Sequence, residues 1–188
     1  VLRSETVRRI CSVLPDHVTP AGYLLCPSGV EWRKNLDRML QAWSLVEPSV
    51  RRDYPLVVQC HVDEASRDHL EARSRELGVG DDVRFTGGVP ETLLVDLFRG
   101  ARAVVFPSTY EGLGLPVLEA RRCGAIAVVG DNSSLKEVVE DPRARFDAHD
   151  PGDIARVVTR ALLDDELRSD LASQPVPERF EWPRVARA

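Results

Sequence analysis

The segment STYEGLGLPVLEA (residues 108–120) places two carboxylates on either side of a glycine-rich turn. Glu111 comes directly before the turn, and Glu119 follows eight residues later, where the sequence predicts that a helix has begun. Gly112 and Gly114 would let the backbone approach a ligand closely. A proline two residues after the second glycine fits the first turn of a helix, whose free N–H groups favour an anion.

The two carboxylates indicate a ligand that carries hydroxyl groups. Carboxylates repel phosphate, but they accept hydrogen bonds from hydroxyl groups. A diphosphate at the helix start with a sugar on each side would therefore satisfy the whole arrangement. A second interpretation stays open on spacing alone, in which Glu119 complements the helix dipole and Glu111 is a solvated loop residue.

A second segment, PSGVEWRKN (residues 27–35), also suits an anion. Arg33 and Lys34 fall at the predicted start of a helix, where the dipole disfavours cations unless a bound anion offsets it. Lys34 is one of only two lysines among the 25 basic residues, and a lysine offers phosphate a compact charge. The alternative is a solvated basic pair at a frayed helix start.

The elements that must position these segments alternate between apolar runs and amphipathic helices. Runs that are apolar throughout are typical of parallel sheets covered on both faces. The sequence therefore predicts an α/β fold with a doubly wound, six-stranded, Rossmann-like parallel sheet and helices on both faces. Ligands of such sheets bind at the carboxyl ends of the strands, where the strand order reverses. The predicted strands lie at 22–27, 54–62, 82–87, 102–108, 125–130 and 144–146.

Composition excludes several functional classes. The 188 residues carry a net charge of −5, which disfavours a nucleic-acid partner because phosphate backbones need a basic face. We find no apolar run as long as a membrane span. The four cysteines and four histidines are scattered, so we expect free thiols, a reducing cytoplasm and no metal site. No G-x-G-x-x-G follows the first strand, which disfavours a nicotinamide enzyme.

Several motifs occur in an order that resembles a known family. The chain is similar to the C-terminal, donor-binding domain of retaining glycosyltransferases with the GT-B fold, in group one (family four). The resemblance covers residues 22–188, and Ser28-Gly29 departs from it because many relatives have two glycines there. The motifs are SGVEWRKN, VRFTGGVPETLLVDLFRGA, VVFPSTYEGLGLPVLEA, SSLKEVV and RFEW.

The resemblance implies a role for each site residue. Glu111 would contact the donor sugar, Glu119 would hold the ribose hydroxyls, and other positions would line the base pocket (Gly87, Val89 and Leu94). Arg33 and Lys34 would bind the diphosphate together with the amides of Gly112 to Leu115. The implied catalytic residues are Glu111, Lys34 and Arg33. The implied donor-binding residues are Ser28, Gly29, Arg33, Lys34, Gly87, Val89, Leu94, Glu111, Gly112, Leu113, Gly114, Leu115 and Glu119.

The resemblance also implies a reaction and a partner. The donor would be a UDP- or GDP-sugar, transferred with retention and without a metal ion or cofactor. An N-terminal domain of the same polypeptide would bind the acceptor, so the chain alone is expected to be inactive. We expect a cytoplasmic protein whose missing domain could meet the inner face of the membrane. The predicted domains are a linker or remnant (1–21), the donor-binding domain (22–173), and a connector with a short helix (174–188).

Two other functions remain open at the level of sequence. A nucleotide-sugar epimerase has a similar two-domain fold, although the glutamate motif in its full context disfavours it. A binding module that has lost catalysis would keep the pocket, although intact Lys34, Glu111 and Glu119 argue against such decay.

Overall fold

A computed structural model describes residues 2–14 and 18–180 and contains the predicted sheet. All strand pairs are parallel, and the order is β3-β2-β1-β4-β5-β6. Each strand is shorter than its apolar run because the run extends into the neighbouring loops. The strands are β1 (Leu24–Ser28), β2 (Leu56–Cys60), β3 (Val83–Phe85), β4 (Ala103–Phe106), β5 (Ala127–Gly130) and β6 (Arg145–Phe146).

Helices cover both faces of this sheet. Nine α-helices occur in the described residues: α1 (Ser4–Cys11), α2 (Leu36–Leu45), α3 (Pro48–Asp53), α4 (Glu64–Glu76), α5 (Glu91–Gly100), α6 (Leu115–Arg122), α7 (Leu135–Val138), α8 (Pro151–Leu163) and α9 (Asp165–Ser173). Helix α2 packs against α4 and α8, whereas α5 packs against α1 and α6. The prediction of a doubly wound α/β fold is confirmed. None of these helices has the length and apolar character of a membrane span.

Apolar periodicity explains why the central helices form where they do. The predicted apolar face of α2 is buried at Leu36, Met39, Leu40 and Trp43, which is the spacing of a helix lying on a sheet. The predicted cap of α8 also forms, since the Asp150 carboxylate accepts a hydrogen bond of 2.8 Å from the Gly152 amide. Every residue of β4 and β5 is buried, as expected for strands covered on both faces.

The site is positioned by the reversal of strand order at β1. After β1 the chain runs outward through β2 and β3, and it then returns to place β4 on the other side of β1. The loops after β1 and β4 therefore leave the same edge of the sheet next to each other. This is the switch point at which ligands of doubly wound sheets bind.

The segment predicted as a linker or remnant (1–21) contains α1, which packs on α5. Ile10 is fully buried. Arg9 donates from Nε to the nearly buried carboxylate of Asp96 over 2.6 Å. Sequence patterning missed this helix because it is only eight residues long and has few apolar positions. The division into domains itself stays a prediction.

The connector that follows α9 is held by arginines of α6. Arg121 donates from Nη2 to the carbonyls of Gln174 (3.2 Å) and Pro175 (3.0 Å), and Arg122 donates to the carbonyl of Phe180 (2.8 Å). A 3-10 turn, Glu178–Phe180, ends the described part of the chain. The rest of the segment for which a short terminal helix was predicted, 181–188, lies outside the described residues.

We predict that replacement of Ile10 by alanine destabilises the whole domain. Loss of a fully buried aliphatic side chain should lower the free energy of unfolding by about 2–5 kcal/mol. Urea denaturation followed by circular dichroism measures this change. Arg8→Ala, at an exposed position of the same helix, is the matched control and should stay within about 0.5 kcal/mol. Equal, small effects would mean that α1 is not part of the cooperative fold.

Candidate active site

Two loops meet at the switch point and bring the predicted anion-binding segments together. They are the β1–α2 loop (29–35) and the β4–α6 loop (107–114), which follow a parallel strand pair. The main-chain N–H of Thr109 donates to the carbonyl of Arg33 over 2.8 Å. The crevice between these loops therefore contains both segments that the sequence singled out.

The Glu111 carboxylate accepts three hydrogen bonds in this crevice, two from charged groups and one from a hydroxyl group. Its Oε1 accepts from Lys34 Nζ (2.7 Å) and from Ser108 Oγ (2.7 Å), and its Oε2 accepts from Arg33 Nη1 (3.1 Å). The exposed fractions of the side chains are 12% for Glu111, 17% for Lys34 and 35% for Arg33. Two cations thus pair with the Glu111 carboxylate, and Arg33 Nη2 also lies 3.9 Å from Oε1 of the more exposed Glu31.

The surroundings of Glu111 favour its ionised form. Burial would raise the pKa of this carboxyl group, because it penalises the charge. The hydrogen bonds from Lys34 and Ser108 and the charges of Lys34 and Arg33 act in the other direction and outweigh burial. The pKa of Glu111 is therefore lower than that of an ordinary glutamate, and the ion pairs persist at neutral pH.

Asn35 joins three loops beneath this cluster, and sequence reasoning did not identify it. Its Nδ2 donates to the carbonyls of Pro107 (2.9 Å) and Ala148 (2.7 Å). Its backbone has a φ of +59°, a left-handed conformation that asparagine adopts more readily than most residues. An asparagine directly after the cation pair and before a predicted helix was the available signal.

The glycine-rich turn provides a helix start without a side-chain cap. Gly114 is the N-cap of α6 with a φ of +70°, and no side chain caps the helix there. A Cβ added to Gly112 would meet no atom within 4 Å, so this part of the turn is open to a ligand. Leu113 and Leu115 are exposed beside it. The first amides of α6 are consequently available to an anion.

The remaining predicted residues lie outside the ion-pair cluster. Glu119 is exposed on the second turn of α6, and Ser28 ends β1, where its Oγ donates to the Gly29 carbonyl over 3.2 Å. The three predicted base-pocket residues follow β3, two strands away from β1. Of these, Gly87 has a φ of +71°, and the other two, Val89 and Leu94, are half-buried against the core.

A cavity of about 820 Å³ borders the β1–α2 loop and Thr109 of the β4–α6 loop. It is lined by the starts of α2 and α4, by Trp32 and by His149, whereas Arg33, Lys34 and Glu111 do not line it. The candidate site is centred on the ion-pair cluster between the two loops, and this cavity adjoins it through residues of the same loops. Among the residues that the structure describes, no three histidine, cysteine or acidic side chains come together as metal ligands.

A doubly wound sheet with a cation pair and an uncapped helix start at its switch point defines a class of protein, the nucleotide-binding α/β domains. Comparisons narrow this class. Residues 17–174 match the family model "Glycosyl transferases group 1". The chain is 31% identical over 184 residues to the serotype-specific mannosyltransferase WbdA of Escherichia coli, and the match covers 96% of this chain and 23% of that relative.

Solved structures agree with this assignment at the level of fold. The C-terminal domain of the group 1 protein LpcC from Francisella tularensis superposes with a TM-score of 0.72 and 18% identity, over 91% of this chain and 89% of that one. Anabaena HepE in complex with UDP and glucose gives a TM-score of 0.76 and 17% identity, over 92% of this chain and 46% of that one. The chain belongs to the group 1 glycosyltransferases, and its fold is that of their C-terminal GT-B domain.

We predict that the Glu111 ion pairs stabilise the domain in a pH-dependent manner. The folded-state pKa is lowered, so the stabilisation is present above the unfolded pKa of about 4.3 and is lost as the pH falls through the folded pKa. Glu111→Gln should lower the free energy of unfolding by roughly 1–3 kcal/mol at pH 7. Denaturant titrations of both proteins between pH 7 and pH 3 should show this difference shrinking with acid. A difference that is independent of pH would contradict the ion-pair assignment.

Proposed function

We propose that this domain binds a nucleoside-diphosphate sugar, with uracil or guanine as the base, for retaining transfer of a hexosyl group without a metal ion. The observation that carries the proposal is the meeting of Arg33, Lys34 and Glu111 next to the uncapped start of α6. The names of related proteins support the sugar and nucleotide classes, because WbdA is a mannosyltransferase and the HepE complex contains UDP and glucose.

The charges of the cluster explain how it would serve a diphosphate. Arg33 and Lys34 are paired with Glu111, and Arg33 also lies 3.9 Å from Glu31. A diphosphate brings more negative charge than one carboxylate, so we propose that it takes over the two cations and the first amides of α6. During transfer the leaving diphosphate gains negative charge, and these preorganised groups would stabilise it in the role that a metal ion has in other enzymes.

Release of Glu111 from the cations would let it meet the sugar. Its carboxylate can accept hydrogen bonds from sugar hydroxyls and can stabilise the positive charge that develops on the sugar ring. We assign Glu119, exposed on α6, to the ribose hydroxyls. The base would lie towards the loop after β3, against Gly87, Val89 and Leu94, while Ser28 and Gly29 would border the diphosphate.

A second domain of the same polypeptide would complete the enzyme by covering this edge. Among the described residues, large apolar side chains are exposed at four positions of the two site loops and at the first residue of α6: Val30, Trp32, Tyr110, Leu113 and Leu115. Apolar groups concentrated around a polar crevice are typical of a surface that another domain covers. The chain spans 23% of WbdA and 46% of HepE, so the acceptor site and the complete activity are proposed for the longer protein.

Replacement of Lys34 tests the diphosphate assignment directly. Lys34→Ala should weaken binding of UDP or GDP by about 1.5–3 kcal/mol, the range for a hydrogen bond to a charged group, and should leave uridine or guanosine binding nearly unchanged. Isothermal titration calorimetry on the chain measures both. Lys136→Ala removes the other lysine, exposed on α7, and is the matched control. Equal losses for nucleoside and diphosphate would assign Lys34 to the fold instead.

The two glutamates should differ in the ligands that they affect. Glu119→Ala should weaken nucleoside diphosphate and nucleotide sugar by similar factors, because both ligands contain the ribose. Glu111→Gln should weaken the nucleotide sugar by roughly tenfold, about 1.4 kcal/mol, and should leave the nucleoside diphosphate equally or more tightly bound, since a competing carboxylate is removed. Titration of both variants with both ligands decides this. A loss of nucleoside diphosphate in Glu111→Gln as large as that in Glu119→Ala would refute the assignment.

A further inference from the structure

The loop between β5 and α7 (131–134) forms a closed ring of hydrogen bonds with the segment that carries Glu111. Ser108 Oγ donates to Glu111 Oε1 (2.7 Å), and the Glu111 amide donates to Ser133 Oγ (3.0 Å). Ser133 Oγ in turn donates to Asn132 Oδ1 (2.9 Å), and Asn132 Nδ2 donates back to the Ser108 carbonyl (2.9 Å). From the Glu111 amide through the Ser133 hydroxyl and the Asn132 side-chain amide to the Ser108 carbonyl, the hydrogen bonds run in one direction, an arrangement in which they strengthen one another.

The same loop holds the main chain of Glu111 from both sides of the residue. Its amide is bound by Ser133, and its carbonyl accepts from Ser134 Oγ over 3.2 Å. The loop approaches closely at Gly130, where an added Cβ would lie 2.8 Å from the Ser108 carbonyl oxygen. The backbone position of Glu111 therefore depends on a loop that lies more than 20 residues away in sequence.

The backbone of Ser133 indicates why a serine is present. Its φ is +43°, in a region that favours glycine and, to a lesser degree, asparagine. A turn that required only this conformation would be served better by glycine. The serine contributes a hydroxyl group that both accepts from Glu111 and donates to Asn132, which glycine cannot do.

We propose that Ser133 is a positioning residue for Glu111. Together with Asn132 and Ser134 it forms a set of hydrogen bonds that holds the Glu111 main chain, which we call the brace. This inference rests on the proposed function. When a diphosphate takes over Arg33 and Lys34, the Glu111 carboxylate keeps only the contact from Ser108 among those that it has in the structure. The brace on its main chain then determines where the carboxylate stands relative to the donor sugar.

The brace can be tested without any ligand. In the 15N-labelled chain, hydrogen exchange of the Glu111 amide should become at least about fivefold faster in both Ser133→Ala and Ser133→Gly, because each loses the hydroxyl acceptor. Ser173→Ala is the matched control, since it removes a hydroxyl that donates to a main-chain carbonyl in α9. Unchanged exchange in Ser133→Gly would overturn the proposal, because it would show that the position requires only a left-handed backbone.

Ligand binding then tests whether the brace serves the sugar. The probes are UDP with UDP-glucose and GDP with GDP-mannose. In Ser133→Ala and Ser133→Gly, the nucleotide sugar that binds should lose affinity by about 2- to 10-fold, while its parent diphosphate changes less than about twofold. Equal losses for both would overturn the positioning role. If the unmodified chain binds neither pair, the proposed function fails, and the amide exchange still decides the brace.

Discussion

The candidate site depends on the pairing of Glu111 with Arg33 and Lys34 in the crevice between the two loops, where these side chains are partly buried. A carboxylate that is only 12% exposed would be costly without these cations, and Lys34 at 17% exposure would be costly without the carboxylate. Each charge thus offsets the cost of burying the other. The same two cations make the site receptive to a ligand that carries more negative charge than Glu111.

Four loops meet around this ion-pair cluster. Asn35 in the β1–α2 loop donates hydrogen bonds to the loops after β4 and β6. The β5–α7 loop accepts a hydrogen bond from the main-chain amide of Glu111. The rigid parallel sheet holds the starts of these loops in register. Helix α6 is also anchored at its far end, where Arg121 and Arg122 hold the connector that follows α9. A helix held at its carboxyl end presents its amino end at a constant place in the crevice.

Much of this architecture was predictable from local pattern. Apolar runs separated by amphipathic helices indicated the doubly wound sheet, and the face of α2 and the Asp150 cap formed as predicted. The glycine at 114 adopts the left-handed conformation for which glycine is suited. Helix α1 was not predicted, because it is stabilised by the burial of Ile10 and by the contact of Arg9 with Asp96, both of which are tertiary interactions.

The sequence by itself determined the strands, most of the helices that cover them, the uncapped helix start and the types of side chain at the carboxyl edge, because these follow from periodicities and turn preferences over a few residues. Only the tertiary structure decided that Glu111 meets Arg33 and Lys34, which lie 78 and 77 positions away. That contact exists because β4 returns to pair with β1 after two intervening strands. The brace from Ser133 has the same origin, since β5 pairs with β4 and carries its loop to the Glu111 backbone. Spacing along the chain contains no information about such pairs, because strand order determines which loops become neighbours.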